Sequence, residues 1–167
     1  ILLKILSLLI AKTNMKKLLI VSNLPSNNTK ILLDQVKKGA ESIGSENIKI
    51  ISSDAINITY NSILESSAII LGTTENLGYM SGIIKDFFDR NYNQCLNKTN
   101  GLPYALYIRA GHDGTGTELN IKKIITGLKW KEIQKPLILK GVWNNKFKDQ
   151  CFNLGATVAA GIDANIY

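Results

Sequence analysis

Few residues of this chain could bind a soft metal ion or form a disulfide framework. The 167 residues include two cysteines, Cys95 and Cys151, which stand far apart without a CxxC partner, and one histidine, His112. That number of thiol and imidazole groups is too small for a zinc site, and their spacing does not indicate paired cysteines. We therefore expect no metal site, and two idle or buried thiols in a reducing cytoplasm.

The sequence also has no long hydrophobic run. Residues 1–10 are apolar, but Lys4 interrupts them, and the segment is too short to span a bilayer. It has no basic start and no A-x-A cleavage site, so it is a poor match to a signal peptide. Because Met15 directly precedes a strand-like segment, we expect residues 1–14 to be a non-native or disordered extension and residues 15–167 to form one domain.

The net charge of +7 and the pI near 9.4 raise the question of a nucleic-acid partner. The lysines are scattered as singles and pairs, without a longer cluster and with little aromatic interleaving. A solvated basic surface explains this pattern better than a nucleic-acid interface does. The positive charge does favour small anionic ligands, such as a phosphorylated cofactor.

Short apolar runs alternate along the chain with longer segments of helical periodicity. The predicted strands are residues 17–22, 48–51, 67–72, 103–110 and 136–142. The predicted helices are residues 27–44, 80–92, 117–128 and 147–160, with a short one near 60–64. The helix over 80–92 has the clearest apolar stripe, whereas Gly155 weakens the last helix.

Strands that are apolar along their whole length, with helices between them, are typical of a parallel sheet covered on both faces. We predict an α/β fold with a doubly wound, five-stranded parallel sheet of order 2-1-3-4-5 and helices on both faces. Ligands of such sheets bind at the carboxyl ends of the strands. Those ends are followed here by loops 23–28, 73–82 and 111–116, all rich in Gly, Ser, Thr and Asn.

The first loop runs directly into a helix. A helix N-terminus offers unpaired N–H groups and partial positive charge to a phosphate. The hydroxyls of Ser22, Ser26 and Thr29 and the amide of Asn28 could add hydrogen bonds. An ordinary helix cap is the competing interpretation, because Ser and Asn are common N-cap residues. The sequence contains neither G-x-x-x-x-G-K-[ST] nor G-x-G-x-x-G, which excludes two other nucleotide-binding motifs.

The second loop has a composition suited to a flat ligand. Gly78 and Gly82 remove side chains where a ring could lie, and nearby N–H groups could bond its polar edge. Tyr79 could stack on that ring or simply pack at the start of the next helix.

Residues 72–90 read G-T-T-E-N-L-G-Y-M-S-G-I-I-K-D-F-F-D-R. This segment resembles the isoalloxazine-binding segment of flavodoxin-like proteins related to NAD(P)H-dependent FMN reductases. That family's first loop, Ser-x-Asn-Thr, is matched by Ser26, Asn28 and Thr29. Its third loop resembles residues 109–116, R-A-G-H-D-G-T-G. The likeness covers residues 15 to about 141, with the motifs in the family's order.

The resemblance implies non-covalent FMN, with its phosphate at residues 26–29 and its ring between loops 73–82 and 111–116. The implied cofactor-binding residues are Ser22, Ser26, Asn28, Thr29, Thr73, Thr74, Glu75, Asn76, Gly78, Tyr79, Met80, Ser81, Gly82, Ala110, Gly111, His112, Asp113 and Gly114. The chain departs from the family pattern in two places. Thr74 stands where many relatives have proline, and Asn27 and Asn28 replace the glycine-bearing loop of true flavodoxins.

The function implied is an FMN-dependent oxidoreductase that takes a hydride from NAD(P)H and reduces a quinone, a flavin or a similar small acceptor. Because the cofactor supplies this chemistry, no catalytic acid–base pair is required. The alternatives are a flavodoxin-like electron carrier and a non-catalytic FMN-binding module. Such carriers tend to be acidic, so the basic charge disfavours the first alternative. Relatives often pair, which makes a homodimer possible.

Some residues near the loops allow two interpretations. His112 could contact the flavin or the hydride donor, or it could be an exposed loop residue. We expect Asp113 to order its glycine-rich turn rather than to act as a base. Arg109 could form a structural ion pair or bind an anionic substrate. Trp130 and Trp143 are expected to pack or to lie in an interface.

Overall fold

The structure of the protein is a computed structural model that describes residues 15–167. The extension predicted for residues 1–14 lies outside the described residues. Within residues 15–167, no helix combines the length and the hydropathy needed to cross a membrane.

The described residues form one mixed sheet between helices. Its strands are β1 (Lys16–Ser22), β2 (Ile48–Asp54), β3 (Ala68–Asn76), β4 (Tyr79–Met80), β5 (Pro103–Ala110), β6 (Lys131–Glu132) and β7 (Leu137–Lys140). The parallel strands lie in the order β2-β1-β3-β5, and β6 and β7 both pair with β5, one beside its start and one beside its end. The predicted α/β order 2-1-3-4-5 is therefore confirmed, with the last strand divided into two short pieces.

Helices connect the parallel strands and cover both faces of the sheet. They are α1 (Asn27–Glu41), α2 (Tyr60–Leu64), α3 (Gly82–Cys95), α4 (Thr115–Leu128) and α5 (Lys146–Asp163), with a 3-10 turn at Ala55–Asn57. The first predicted helix ends three residues earlier than expected, and the last one starts earlier and extends further. The short helix at 60–64 has the predicted bounds.

Successive side chains along each strand point to opposite faces of the sheet, so they enter two hydrophobic cores in turn. Leu19, Val21, Ile69 and Leu71 point to one core, which α2, α3 and α4 cover. Their neighbours along the chain, such as Leu18 and Ile20, point to the other core, which α1 and α5 cover. Both faces of the sheet are therefore buried, as the apolar runs predict.

Helices α1 and α5 approach each other closely through two glycines. A Cβ atom at Gly39 of α1 would overlap the carbonyl of Phe152, and one at Gly155 of α5 would overlap the carbonyl of Val36. The close approach of α1 thus explains the glycine at position 155, and α5 continues through it to Asp163. Glycine lowers helix propensity by about 1 kcal/mol relative to alanine, but here the tertiary contact overrides that cost.

Helix α3 matches its predicted polar face and corrects part of its predicted apolar stripe. Lys85 pairs with Asp89 and Arg90 with Asp86, each at 2.7 Å on the solvent side. Arg90 also donates to the carbonyls of Ile58 and Ala55, at 2.8 and 3.0 Å, and so fixes the segment that follows β2.

The sequence pattern predicts an apolar stripe of Met80, Ile83, Ile84, Phe87 and Phe88 opposite a polar face of Lys85, Asp86, Asp89 and Arg90, and two members of that stripe have other roles. Met80 is buried but belongs to β4, and Ile83 is 37% exposed. The helix begins at Gly82 because the Ser81 hydroxyl caps it by accepting from the Ile84 N–H at 3.2 Å.

Candidate functional site at the carboxyl edge of the sheet

Three loops meet where β1, β3 and β5 end. These strands are parallel neighbours, with Ser22 beside Gly72 and Thr74 beside Arg109, so their following loops emerge at one edge. The chain after β1 enters α1 on one face, whereas the chain after β3 enters α3 on the other face. This divergence makes the edge between β1 and β3 a topological switch point, the usual ligand position in open α/β sheets.

The first loop ends in a reciprocal helix cap. The Ser26 hydroxyl accepts from the Thr29 N–H at 3.3 Å, and the Thr29 hydroxyl accepts from the Ser26 N–H at 3.1 Å. The Thr29 hydroxyl also donates to the Ser26 carbonyl at 2.8 Å. Thr29 is therefore turned into its own loop and is buried, while Ser26, Asn27 and Asn28 are exposed. The capping interpretation and the phosphate interpretation are compatible, because the cap leaves the outer N–H groups of the first turn facing outward.

The second loop is a β-hairpin, so the prediction of a loop over residues 73–82 is wrong in its extent. Strand β3 continues to Asn76, and β4 returns antiparallel beside it, with Asn76 paired to Tyr79. The turn residues Leu77 and Gly78 both have positive φ, at 54° and 75°. Two such residues are the requirement of a type I′ turn, which matches the twist of the flanking strands. Gly78 is thus explained by the turn itself.

Several polar residues of this hairpin point into the protein. Thr73 and Ser81 are buried, and the Thr73 hydroxyl accepts from the Ser81 N–H at 3.2 Å. Met80 packs in the core that α3 and α4 cover. The structure therefore buries these three side chains beneath the edge, whereas the resemblance implies that they bind the cofactor.

Asn23 joins the first loop to the second. Its side-chain oxygen accepts from the Thr74 N–H and its amide donates to the Thr74 hydroxyl, both at 3.0 Å. Asn23 is 3% exposed and Thr74 is half-buried, so water has limited access to these bonds. The sequence reasoning placed Asn23 in the first loop but did not single it out. An amide side chain directly after a buried strand is the only local indication of this role, because the partner of Asn23, Thr74, lies 51 residues away in the sequence.

Glu75 joins the second loop to the third. One carboxylate oxygen accepts from the His112 N–H at 2.7 Å, and the other accepts from the Gly114 N–H at 3.0 Å. Charge-assisted bonds of this kind are among the stronger ones in proteins. The carboxylate is therefore engaged by backbone groups of residues 112–114, and its role in the site is to hold the third loop.

The third loop is shaped by glycines and by Asp113. Gly114 has a φ of 74° at the start of α4, and a Cβ at Gly116 would overlap the carbonyl of Gly78 in the hairpin. The Asp113 carboxylate accepts from the Thr115 N–H at 2.9 Å, and this bond lowers the pKa of Asp113. These contacts agree with the prediction that Asp113 orders the turn.

Arg109 forms no ion pair within residues 15–167 and bonds backbone carbonyls instead, so the ion-pair interpretation is wrong. Its guanidinium donates to the carbonyls of Ala110, Leu139 and Gly141, at 2.6, 3.0 and 2.5 Å. It also lies 5.3 Å from the centre of the Phe147 ring. Arg109 thus fixes the ends of β5 and β7 against each other beside the third loop.

Of the remaining predicted residues, Ser22 and Ala110 are buried and the others lie at the surface. Asn76, Gly78, Gly111 and His112 are exposed along the rim of the edge. A Cβ at Gly78, Gly82 or Gly111 would meet no atom within 4 Å, so open space adjoins each of these glycines.

The cysteines and tryptophans have structural surroundings. Burial raises the pKa of both thiols, that of Cys151 to about 12. Trp130 is buried and its indole donates to the Thr99 hydroxyl at 2.8 Å, whereas Trp143 packs edge-on against Phe147. Within residues 15–167, no group of three or more His, Cys, Asp or Glu side chains is placed to hold a metal ion.

No protein-family model matches the sequence, and no curated protein matches it. Solved structures do resemble its fold. A flavodoxin from the domain Archaea superposes with a TM-score of 0.74 at 19% identity, over 88% of this chain and 99% of that chain. Flavodoxin 1 from Bacillus cereus gives a TM-score of 0.69 at 18% identity, over 84% and 95%.

A rubredoxin oxygen:oxidoreductase from Desulfovibrio gigas gives a TM-score of 0.74 at 12% identity, over 93% of this chain but only 39% of that chain. The likeness therefore extends to one part of a larger protein as well as to single-domain proteins of similar length. Together with the parallel order β2-β1-β3-β5 and its covered faces, these superpositions show that the protein has the flavodoxin-like fold.

Proposed function

We propose that the protein binds FMN non-covalently at the carboxyl edge of the sheet and acts as an oxidoreductase. The observation that supports this most is the linkage of the three loops at the switch point, through Asn23 on one side and Glu75 on the other. A flat cofactor with a phosphate tail requires two different surfaces at a fixed separation. The linked loops offer both.

The phosphate end fits the start of α1. The first turn of this helix contains no acidic residue, and Asn27 and Asn28 are exposed there. The first N–H groups of a helix have no partner within it, and the helix dipole adds positive character to them. Ser26 and Thr29 hold this turn in place by their reciprocal cap, so their contribution is to preorganise the donors.

The ring end would lie along the exposed rim formed by the hairpin and the third loop. Gly78, Gly82 and Gly111 adjoin open space there, and Tyr79 is half-buried beside them. FMN, when bound, supplies hydride and single-electron chemistry. The chain's own part is to orient the ring, to exclude water from one of its faces and to offer N–H groups to its polar edge. No proton-transfer dyad is needed for this, so the exposed His112 has no required role.

Within this proposal, NAD(P)H is the hydride donor and a quinone, a flavin or a similar small molecule is the acceptor. An electron carrier is the second candidate, because the archaeal flavodoxin is matched over 99% of its length. The net charge of +7 favours small anionic substrates over docking to a basic protein partner. A homodimer stays a prediction, which light scattering of the eluting protein would check.

The first test is the colour of the purified protein. The protein should show flavin absorbance and release FMN on denaturation, or bind added FMN if it is isolated without it. A colourless protein that also ignores added FMN would reject the proposal. Oxidation of NADH or NADPH with a quinone acceptor then separates the two candidates. An enzyme turns over, whereas a carrier passes an electron from its photoreduced flavin without turnover.

A charge substitution tests the phosphate end directly. Asn28→Asp puts a negative charge in the first turn of α1, which stabilises the helix but repels a phosphate. We expect the dissociation constant for FMN to rise at least about tenfold, with that for riboflavin unchanged. Asn93→Asp, on the exposed face near the end of α3, is the matched control and should alter neither. Equal losses for FMN and riboflavin in Asn28→Asp would contradict a phosphate at this loop.

A further inference from the structure

Tyr107 has a buried hydroxyl that the structure leaves without a partner. The side chain is 2% exposed, and its phenol oxygen makes no hydrogen bond to any residue of 15–167. Tyrosine hydroxyls usually find a partner when they are buried, because an unpaired buried polar group is costly. The position of this hydroxyl indicates which neighbouring group could accept a hydrogen bond from it.

The phenol crosses the sheet toward the first loop. Ser22, Gly72 and Tyr107 form one row across β1, β3 and β5, and their side chains share the face that α1 and α5 cover. A Cβ at Gly72 would overlap both the last ring carbon and the hydroxyl of Tyr107. The ring therefore lies over Gly72, with its hydroxyl directed toward β1. Any residue larger than glycine at position 72 would block this path.

Ser22 stands at the end of that path. It is the last residue of β1, is 2% exposed, and donates through its hydroxyl to the Asn23 carbonyl at 3.2 Å. Asn23 in turn bonds Thr74 in the hairpin. Burial raises the pKa of Tyr107 more than the neighbouring Ser22 hydroxyl lowers it, so the phenol keeps its proton and can act as a donor.

We infer that Tyr107 is a positioning residue for the anion-binding loop, and that its hydroxyl donates to the Ser22 hydroxyl when the loop holds a phosphate. The inference rests on the proposed function. Two hydrogen bonds would then form a chain, from the Tyr107 hydroxyl to the Ser22 hydroxyl and from the Ser22 hydroxyl to the Asn23 carbonyl. In the structure the bond from Ser22 to Asn23 is present, and the bond from Tyr107 to Ser22 is not formed. Closing the first link stabilises the loaded loop without any contact between Tyr107 and the ligand.

The test compares two tyrosines of the same strand. Tyr107→Phe removes the unpaired hydroxyl, whereas Tyr104→Phe removes a hydroxyl that donates to Glu132 at 2.9 Å on the other face. We would measure urea unfolding midpoints without ligand, and dissociation constants for FMN and riboflavin by flavin fluorescence. Tyr107→Phe should unfold at a midpoint no lower than the wild type. Its FMN constant should rise about 3- to 10-fold, as the loss of one hydrogen bond predicts.

The riboflavin constant of Tyr107→Phe should stay within about twofold of the wild type, since riboflavin has no phosphate to order the loop. Tyr104→Phe should show the opposite result, with a lower unfolding midpoint and an unchanged ratio of the two constants. A double variant, Ser22→Ala with Tyr107→Phe, should bind FMN no more weakly than Ser22→Ala alone, because both changes break the same link.

Three outcomes would overturn the inference even if Tyr107→Phe binds FMN more weakly than the wild type. One is a lower midpoint for Tyr107→Phe, which would show that its hydroxyl is already bonded without ligand. Another is equal loss of FMN and riboflavin affinity, and the third is additive loss in the double variant. If the wild type binds neither flavin, the proposed function fails and the inference fails with it. If the wild type binds FMN and Tyr107→Phe binds it equally well, only the inference fails.

Discussion

The link between Glu75 and the third loop gives a quantitative prediction. In Glu75→Ala the N–H groups of His112 and Gly114 lose their shared carboxylate, which accepts from them at 2.7 and 3.0 Å. Asp113 still holds the start of α4 through Thr115, so the helix should remain while residues 111–114 loosen. The expected effects are therefore a moderate loss of stability and a larger loss of order in this loop.

The magnitude follows from the two hydrogen bonds. A bond to a charged acceptor contributes about 1.5–3 kcal/mol net in a shielded setting. Glu75 is half-buried and His112 is exposed, so water can replace part of this contribution. We expect Glu75→Ala to lower the free energy of unfolding by about 1–2 kcal/mol. Glu75→Gln keeps one acceptor oxygen and should lose about half as much.

Two measurements check this prediction. Urea unfolding gives the free energy, and amide hydrogen exchange followed by NMR reports on His112 and Gly114 individually. Both amides should exchange faster in Glu75→Ala, and if FMN binds as proposed, its dissociation constant should rise about 5- to 10-fold because the third loop would no longer be held in place beside the ring. Glu46→Ala, an exposed carboxylate between α1 and β2, is the control. Unchanged exchange at both amides, with stability within about 0.3 kcal/mol of the wild type, would refute the argument.

Two further residues of the same edge give predictions. Leu77 is fully exposed and has a positive φ, so Leu77→Asn should raise the free energy of unfolding by about 0.5–1 kcal/mol, measured in urea; a loss would contradict the turn assignment. The Thr115 N–H lowers the pKa of Asp113 in the folded state. The ionised Asp113 carboxylate therefore stabilises the fold above its unfolded pKa, and this stabilisation is lost as pH falls below about 4. Asp113→Asn should be less stable at pH 7 and lose less stability than the wild type between pH 7 and pH 3, and equal losses would refute this.

The sheet could be predicted from the sequence because its determinants are local. Residues such as Ile69 and Ile70 are apolar on both faces of a buried strand, and that pattern needs no knowledge of the partner strands. The strand order followed from the alternation with helices. The helix ends were less accurate, because Met80 extends a hairpin and Ser81 caps α3, and both depend on contacts with β3.

The internal structure of the site could not be predicted in the same way. The turn at Leu77 and Gly78 lacks the Asn-Gly or Asp-Gly pair that usually indicates a type I′ turn. The partners of Glu75 lie 37 and 39 residues away, and nothing in the local sequence specifies them. Arg109 likewise finds three carbonyls that only the folded sheet brings together. The meeting of the three segments at one edge could be predicted from the strand order, whereas the contacts made by their individual residues could not.

That division changes how the edge would recognise a ligand. The side chains of Thr29, Thr73, Glu75 and Asp113 are all engaged in holding the loops, so contacts to a ligand would be left to backbone N–H groups and to exposed side chains such as Asn28 and His112. Recognition would then depend on the shape of the edge and on the direction of its N–H groups. For such a site, a substitution in one loop should weaken contacts at another, because Asn23 and Glu75 connect them. Losses from Glu75→Ala and Asn23→Ala should therefore be less than additive, because the bonds that they remove end on the adjacent β3 residues Thr74 and Glu75 and so constrain the same segment.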